Sequence, residues 1–127
     1  MDGLADTTIF IARESGRRVR LEALPERLAV SVITIGELRA GVLAASDVET
    51  RDRRLATLVG ALTLDPAPID LRVAETWGRL RITLRDVGLR MPVNDSWIAA
   101  TAISLGVPVV TQGDDYVEVP GLSIIHV

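Results

Sequence analysis

The sequence has no cysteine, one histidine and only 3% aromatic residues, and every one of its 14 basic residues is arginine. Each scarcity closes off some chemistry. Without cysteine there is no disulfide, thiolate nucleophile or Cys-ligated zinc, which fits a cytoplasmic chain. Without lysine there is no P-loop cation and no amine for a Schiff base. A phosphotransfer domain using an aspartate such as Asp6 as acceptor also normally needs a lysine, so that reading weakens. His126 alone is too few for a His-rich metal site and is expected to be inert. No apolar run approaches the roughly 20 residues of a membrane span. The start, Met1 to Asp6, lacks the basic and apolar stretches of a signal peptide.

What remains is an apolar, slightly acidic chain. Its 127 residues suit one domain, spanning 1–127, and a hydrophobic fraction of 48% builds a core easily. A net charge of −3 argues against an overall basic nucleic-acid surface. Arginine, however, is the better residue for forked contacts with phosphate.

Patterning alternates strand and helix. Leu4-Ala5 is a meagre first strand, and Asp6 or Thr7 caps the helix that follows. Leu28 to Val32 is a β-branched buried strand, after which Thr34 to Glu37 opens a second helix. Asp47 to Leu62 is amphipathic, with Leu55, Leu58, Val59 and Leu62 on one face. Thr63-Leu64 reads as a strand stub. Leu71 to Val87 is a further amphipathic helix ended by Gly88, and a last helix runs from Asn94 or Asp95 to Leu105, ended by Gly106. Val107 to Thr111 and Leu122 to Val127 are strands. No linker or repeat divides the chain. Near-continuous apolar strands alternating with helices mean an α/β fold, a parallel sheet covered on both faces. In such sheets the working site lies past the carboxyl ends of the strands.

The acids fall at those ends. Asp6 follows the first strand, Glu37 the second, Asp95 opens the late helix, and Asp114-Asp115 follow the strand closing at Thr111. Each has an ordinary role available: Asp6 as a cap, Thr34-x-x-Glu37 as a capping box, Asp95 as a macrodipole partner, Asp114-Asp115 in a turn. Convergence at one sheet edge is the stronger reading, because capping alone does not place acids from distant segments together. Carboxylates gathered in one pocket repel one another unless a cation is present. Oxygen-only ligands suit Mg²⁺ or Mn²⁺, and one or two such ions drive phosphodiester cleavage.

Four stretches carry a family resemblance. They are Asp6-Thr7-Thr8-Ile9-Phe10-Ile11; Ser31 to Leu38 with Gly36-Glu37; Asn94-Asp95-Ser96-Trp97-Ile98-Ala99-Ala100-Thr101-Ala102; and Gly106 to Thr111 with Asp115-Tyr116. In order, spacing and length the chain resembles a PIN-domain ribonuclease of the VapC toxin group over nearly its whole length. The resemblance implies a three-layer α/β/α domain with a mainly parallel sheet of four or five strands. It implies Mg²⁺- or Mn²⁺-dependent endoribonuclease activity, a homodimer, and a cognate VapB-like antitoxin whose tail covers the site. The family's carboxylates match Asp6, Glu37, Asp95 and Asp115, with Thr7 and Thr111 in support and Asn94 beside Asp95. The family commonly has a further acid two residues before the one matching Asp115. Here that position is Gly113, and Asp114 is the candidate to replace it as a metal ligand.

RNA must still be held. Arginines cluster at 13–20, 51–54 and 79–90, and each cluster serves equally well as a solvated helix face. Arg13 and Arg17 are the candidates for RNA contact, since their helix begins at Asp6. Trp77 and Trp97 are expected to pack in the core or an interface. Gly113 motivates an alternative, a catalytically silent PIN-like module that binds RNA or a protein partner.

Overall fold

The computed structural model describes residues 2–127; Met1, where the signal-peptide reading begins, lies outside the described residues. Its elements are β1 (Gly3–Ala5), α1 (Thr7–Glu14), β2 (Leu28–Val30), α2 (Val32–Ala44), α3 (Val48–Leu62), α4 (Leu71–Val87), α5 (Val93–Leu105), β3 (Val109–Thr111) and β4 (Ile124–His126). A short 3₁₀ turn, Leu21–Ala23, interrupts the connection from α1 to β2. The four strands form one sheet in the order β2-β1-β3-β4, every pair parallel. No helix of the described residues is long and apolar enough to cross a membrane.

The register explains the layers. Leu4 aligns with Ala29 and Val109, and Ala5 aligns with Val30 and Val110. Successive residues of a strand point to opposite faces, so the first set must share one face and the second set the other. Leu4, Ala29 and Val109 pack with Val73, Leu80, Leu84 and Ile98 of α4 and α5. Ala5, Val30 and Val110 pack with Ile9, Phe10, Leu38, Val42 and Leu58 of α1, α2 and α3. Each fully buried Leu or Ile contributes about 1.5–3 kcal/mol, so three-residue strands suffice because both faces are covered. The meagre first strand is thereby interior to the sheet, with β2 on one side and β3 on the other.

Several boundaries differ from the sequence reading. The strand expected over Leu28 to Val32 stops at Val30, because the Ser31 hydroxyl accepts the Ile33 N–H at 3.0 Å and caps α2. Helix α2 therefore starts at Val32, ahead of Thr34, and no Thr34–Glu37 capping box forms. Thr63-Leu64 is a turn, its chain reversed by bonds back to Gly60 and Ala61. The nearest sheet-like pairing is an isolated bridge between Ala67 and Ser31. On α3 the buried residues are Leu58 and Ala61, whereas Leu55, Val59 and Leu62 are 39%, 54% and 45% exposed. The α5 helix begins one residue early, at Val93, with Pro92 as a cap that offers no side-chain acceptor.

Gly3 marks how tightly the sheet centre is packed. A Cβ there would lie 2.7 Å from Val110 Cγ2 and 3.1 Å from Pro25 Cγ. Overpacking of this kind is destabilising, so Gly3→Ala is expected to cost about 1–3 kcal/mol, read as a lowered urea midpoint. A substitution that leaves the midpoint unchanged would contradict the packing described.

Candidate active site

The parallel order places the carboxyl ends of β1 and β3 side by side at the point where strand order reverses, the position open α/β sheets use for ligands. Asp6 emerges there. It caps α1, is 2% exposed, and both its carboxylate oxygens are engaged. Oδ1 accepts from the backbone N–H of Thr8 at 3.0 Å and from the Thr8 hydroxyl, and Oδ2 accepts from the Thr111 hydroxyl at 2.6 Å. Each hydroxyl has one hydrogen, already given to Asp6, so its oxygen is free to accept. Thr8 Oγ1 accepts the Gln112 N–H at 2.9 Å, and Thr111 Oγ1 accepts the Gly113 N–H at 2.9 Å. Two backbone amides of the loop after β3 are thus relayed through two threonines onto one carboxylate.

Burial pushes the Asp6 carboxyl above its ordinary range, and the hydrogen bonds from Thr111 and Thr8 pull it back. Tyr116 stands close enough to help hold the Asp6 charge. Its buried hydroxyl nevertheless has no partner at hydrogen-bond geometry. Burial, then the charges of Asp6 and Asp95, keep that phenol protonated far above the usual range.

Glu37 lies in the second turn of α2 and is half-buried. Thr7 Oγ1 is 2.7 Å from Glu37 Oε1 and 3.0 Å from Thr34 Oγ1. An ionised carboxylate only accepts, so the single Thr7 hydrogen is shared between two acceptors and the carboxylate is the stronger one. Asp95 sits in the first turn of α5, where the macrodipole favours negative charge. Its carboxyl is nonetheless pushed up to about 6, first by burial and then by the charges of Asp6, Asp115 and Glu37. Four carboxylates therefore share one electrostatic field.

They also share one cavity, of about 470 Å³, lined by Asp6, Thr7, Thr8, Glu37, Asn94, Asp95 and Asp115 among others, with no basic residue in its wall. Among the described residues, no three His, Cys, Asp or Glu side chains stand close enough to hold one metal ion as they are placed. The donor set is all oxygen and its charge is uncompensated, which fits a hard divalent cation. Enclosing an ion calls for the carboxylates to move inward from the positions they hold.

Other residues expected at the site fall elsewhere. Asp114 is exposed and lines a larger cavity of about 730 Å³ at the β4 edge, together with Glu118 and His126. Arg13 faces a groove between α1 and α3 beside Arg53, and Arg17 is exposed in the loop after α1; neither lines the acidic cavity. Thr111 lies beneath the cavity, fully buried, as the clamp on Asp6. Sequence reasoning missed Thr8, Thr34 and Tyr116. Thr8 carried a signal, an Asp-x-Thr start to a helix, and Thr34 another, a polar residue inside an apolar run. The Trp pair packs as expected: the rings stack with centroids 4.2 Å apart, and Trp77 Nε1 donates to Ser96 Oγ at 2.9 Å.

Comparison with known proteins matches residues 4–122 to the PIN domain model. The chain belongs to the PIN-domain family. Among curated relatives, this PIN domain is 44% identical to ribonuclease VapC5 of Mycobacterium tuberculosis, over 98% of this chain and 93% of that protein. It is 45% identical to ribonuclease VapC4 of the same organism, over 98% and 95%. Among solved structures it resembles that of VapBC-5, a member of the VapBC family of toxin–antitoxin systems from Mycobacterium tuberculosis. That match has a TM-score of 0.92 and 41% identity, covering 99% of this chain and 98% of the other. The PIN domain here thus has the three-layer α/β/α architecture of its relatives.

The crowding of carboxylates has a measurable cost. The folded-state pKa of Asp95 is raised, so without a cation the native state binds its proton more tightly than the unfolded chain does. Its contribution to stability is full below the unfolded value of 3.8 and is lost as pH rises through about 6. In metal-free buffer the melting temperature is therefore expected to rise as pH falls from neutral towards 5. Asp95→Asn should raise it at neutral pH and flatten that rise. A variant that melts below the parent at neutral pH would contradict this picture.

Proposed function

We propose that this protein is the toxin of a type II toxin–antitoxin pair, a metal-dependent endoribonuclease that cleaves RNA phosphodiesters. One observation carries the reading: acids from four distant segments, Asp6, Glu37, Asp95 and Asp115, line one cavity that contains no basic side chain. Such a site suits a divalent cation, Mg²⁺ or Mn²⁺. The similarity to proteins named VapC ribonucleases supports the activity, and the similarity to a VapBC complex supports a VapB-like antitoxin as partner. A homodimer is part of the proposal, and exposed Leu43, Val48 and Val59 offer apolar surface for such contacts. An RNA substrate fits action in the cytoplasm.

The chemistry divides among the chain's own groups. Asp6, Glu37, Asp95 and Asp115 are the proposed ligands and catalytic carboxylates. When bound, the cation supplies charge compensation for the attacked phosphate and makes the attacking water more acidic. Asp6 is held rigidly by Thr8 and Thr111, and Thr7 orients Glu37. The first turn of α5 has no side-chain cap, and Val93 and Asn94 in that turn line the cavity, which makes their backbone N–H groups the proposed donors for a phosphate oxygen. Arg13 and Arg17 remain proposed RNA contacts outside the catalytic cavity itself. Asp114, pointing into a different cavity, is a weaker ligand candidate than the other four.

Gly113 motivates the second reading, a catalytically silent module binding RNA or protein. A Cβ at Gly113 would lie 3.5 Å from Thr111 Oγ1 and 3.7 Å from Thr8 Cγ2, so the position that lacks an acid adjoins the Asp6 clamp. Calorimetric titration with Mn²⁺ separates the two readings, because the nuclease must bind the ion and the silent module need not. Asp6→Asn and Asp95→Asn are each expected to reduce metal-dependent RNA cleavage about a hundredfold or more while leaving the fold intact. Undiminished cleavage by folded variants, or no Mn²⁺ uptake by the parent, would defeat the nuclease reading. Gly113→Asp has ordinary space for its Cβ and is expected to raise Mn²⁺ affinity or stoichiometry. A titration identical to the parent's would show that position 113 does not reach the ion.

A further inference from the structure

The acidic cavity repels an RNA strand everywhere except at its metal, so the strand must be gripped beside it. Three grooves adjoin the carboxylates or lie near them. Between α1 and α2, Ile11 and Glu37 continue from the catalytic cavity into a space that also holds Glu14 and Arg54. Between α1 and α3, Arg13 and Arg53 again share their groove with Glu14. Both mix charges of opposite sign. The third groove does not.

That groove, of about 610 Å³, lies between the C-terminal end of α4 and the N-terminal end of α5. Arg81, Arg85 and Arg90 line it with no carboxylate in the wall, alongside the apolar Leu89, Met91 and Val93. Val93 also lines the catalytic cavity, so the two spaces share an edge at the first residue of α5. The Arg81 guanidinium is held over the Trp77 ring, 5.0 Å from its centroid, which fixes one cation before any ligand arrives. Arg85 pairs only with exposed Asp86, at 3.3 Å, a contact that solvent screens. Arg90 makes no ion pair among the described residues.

We propose that this groove is the path of single-stranded RNA on one side of the scissile phosphate, with Arg81 and Arg90 as its phosphate contacts and Leu89 and Val93 as an apolar floor for a base. The inference rests on the nuclease reading and adds to it the direction in which the strand leaves the site. Charge chooses this occupant over a second copy of the chain. In a two-fold interface centred on this groove the patch meets its own copy, and three arginines without an acid would face three arginines. Arginine forks instead match the phosphate backbone, and each phosphate they neutralise adds to salt dependence.

The test uses the full chain carrying Asp95→Asn, so that RNA is bound without being cut, and a labelled 12-nucleotide single-stranded RNA of mixed sequence. Affinity is measured against salt concentration. Arg81→Ala with Arg90→Ala is expected to weaken binding about tenfold and to make the salt slope shallower by about 1.4, roughly 0.7 for each phosphate no longer neutralised. Arg81→Lys with Arg90→Lys should keep most of the slope, which guards against a folding defect. On the active enzyme, the alanine pair should lower kcat/KM more for the long RNA than for a dinucleotide. Unchanged affinity and slope in the alanine pair would overturn the path, as would losses confined to Arg13→Ala with Arg53→Ala. So would a shift from dimer to monomer with RNA binding intact. A parent enzyme that neither binds nor cleaves RNA would instead defeat the nuclease reading itself, and the path with it.

Discussion

Asp6 is buried at the carboxyl end of an interior strand, and a buried carboxylate is tolerated only if its charge is met. Here the response is local and complete: hydroxyls from Thr8 and Thr111 reach its two oxygens, and each passes on a backbone amide from the loop after β3. This clamp joins the first ten residues of the chain to residues 111–113. Remove it and the ends of β1 and β3 lose the tie that keeps the loop carrying Asp115 and Tyr116 against the cavity.

The other acids are held less firmly, and that gradient has a chemical sense. Glu37 has one hydroxyl partner, Asp95 has helix-dipole support with like charges around it, and Asp115 is exposed. A buried carboxylate with both oxygens engaged, beside three with fewer partners, suits the closure around a cation that the proposed function requires. It also means the domain carries a destabilising cluster at its centre of activity, a common feature of sites whose groups are selected for chemistry over packing.

Charge is segregated as well as concentrated. With arginine as the sole cation, the chain places acids in one cavity and three arginines in the groove next to it, divided by Val93 at the start of α5. A net charge of −3 conceals this arrangement. Trp77 serves it indirectly, since the ring that stacks on Trp97 inside the α4–α5 contact also fixes Arg81 outside it.

Much of this was legible in the chain itself. Apolar runs at Leu28 to Val30 and Val109-Val110, glycine stops at Gly88 and Gly106, and acids at strand ends announced a parallel α/β sheet with its carboxylates on one edge, because strand and helix periods are local properties. Capping competition was not legible: Ser31 ended β2 early because its hydroxyl found the Ile33 amide, a choice that rested on the Ala67 backbone pairing beside it. Nor did an amphipathic pattern reveal which stripe of α3 is covered, since burial depends on the neighbour as well as the helix. Only the folded chain decided that Asp114 turns away while Asp115 faces the cavity, that Thr8 is a clamp, and that Arg81, Arg85 and Arg90 line a groove beside the acids, because direction and proximity between distant residues come from packing, which no local pattern encodes.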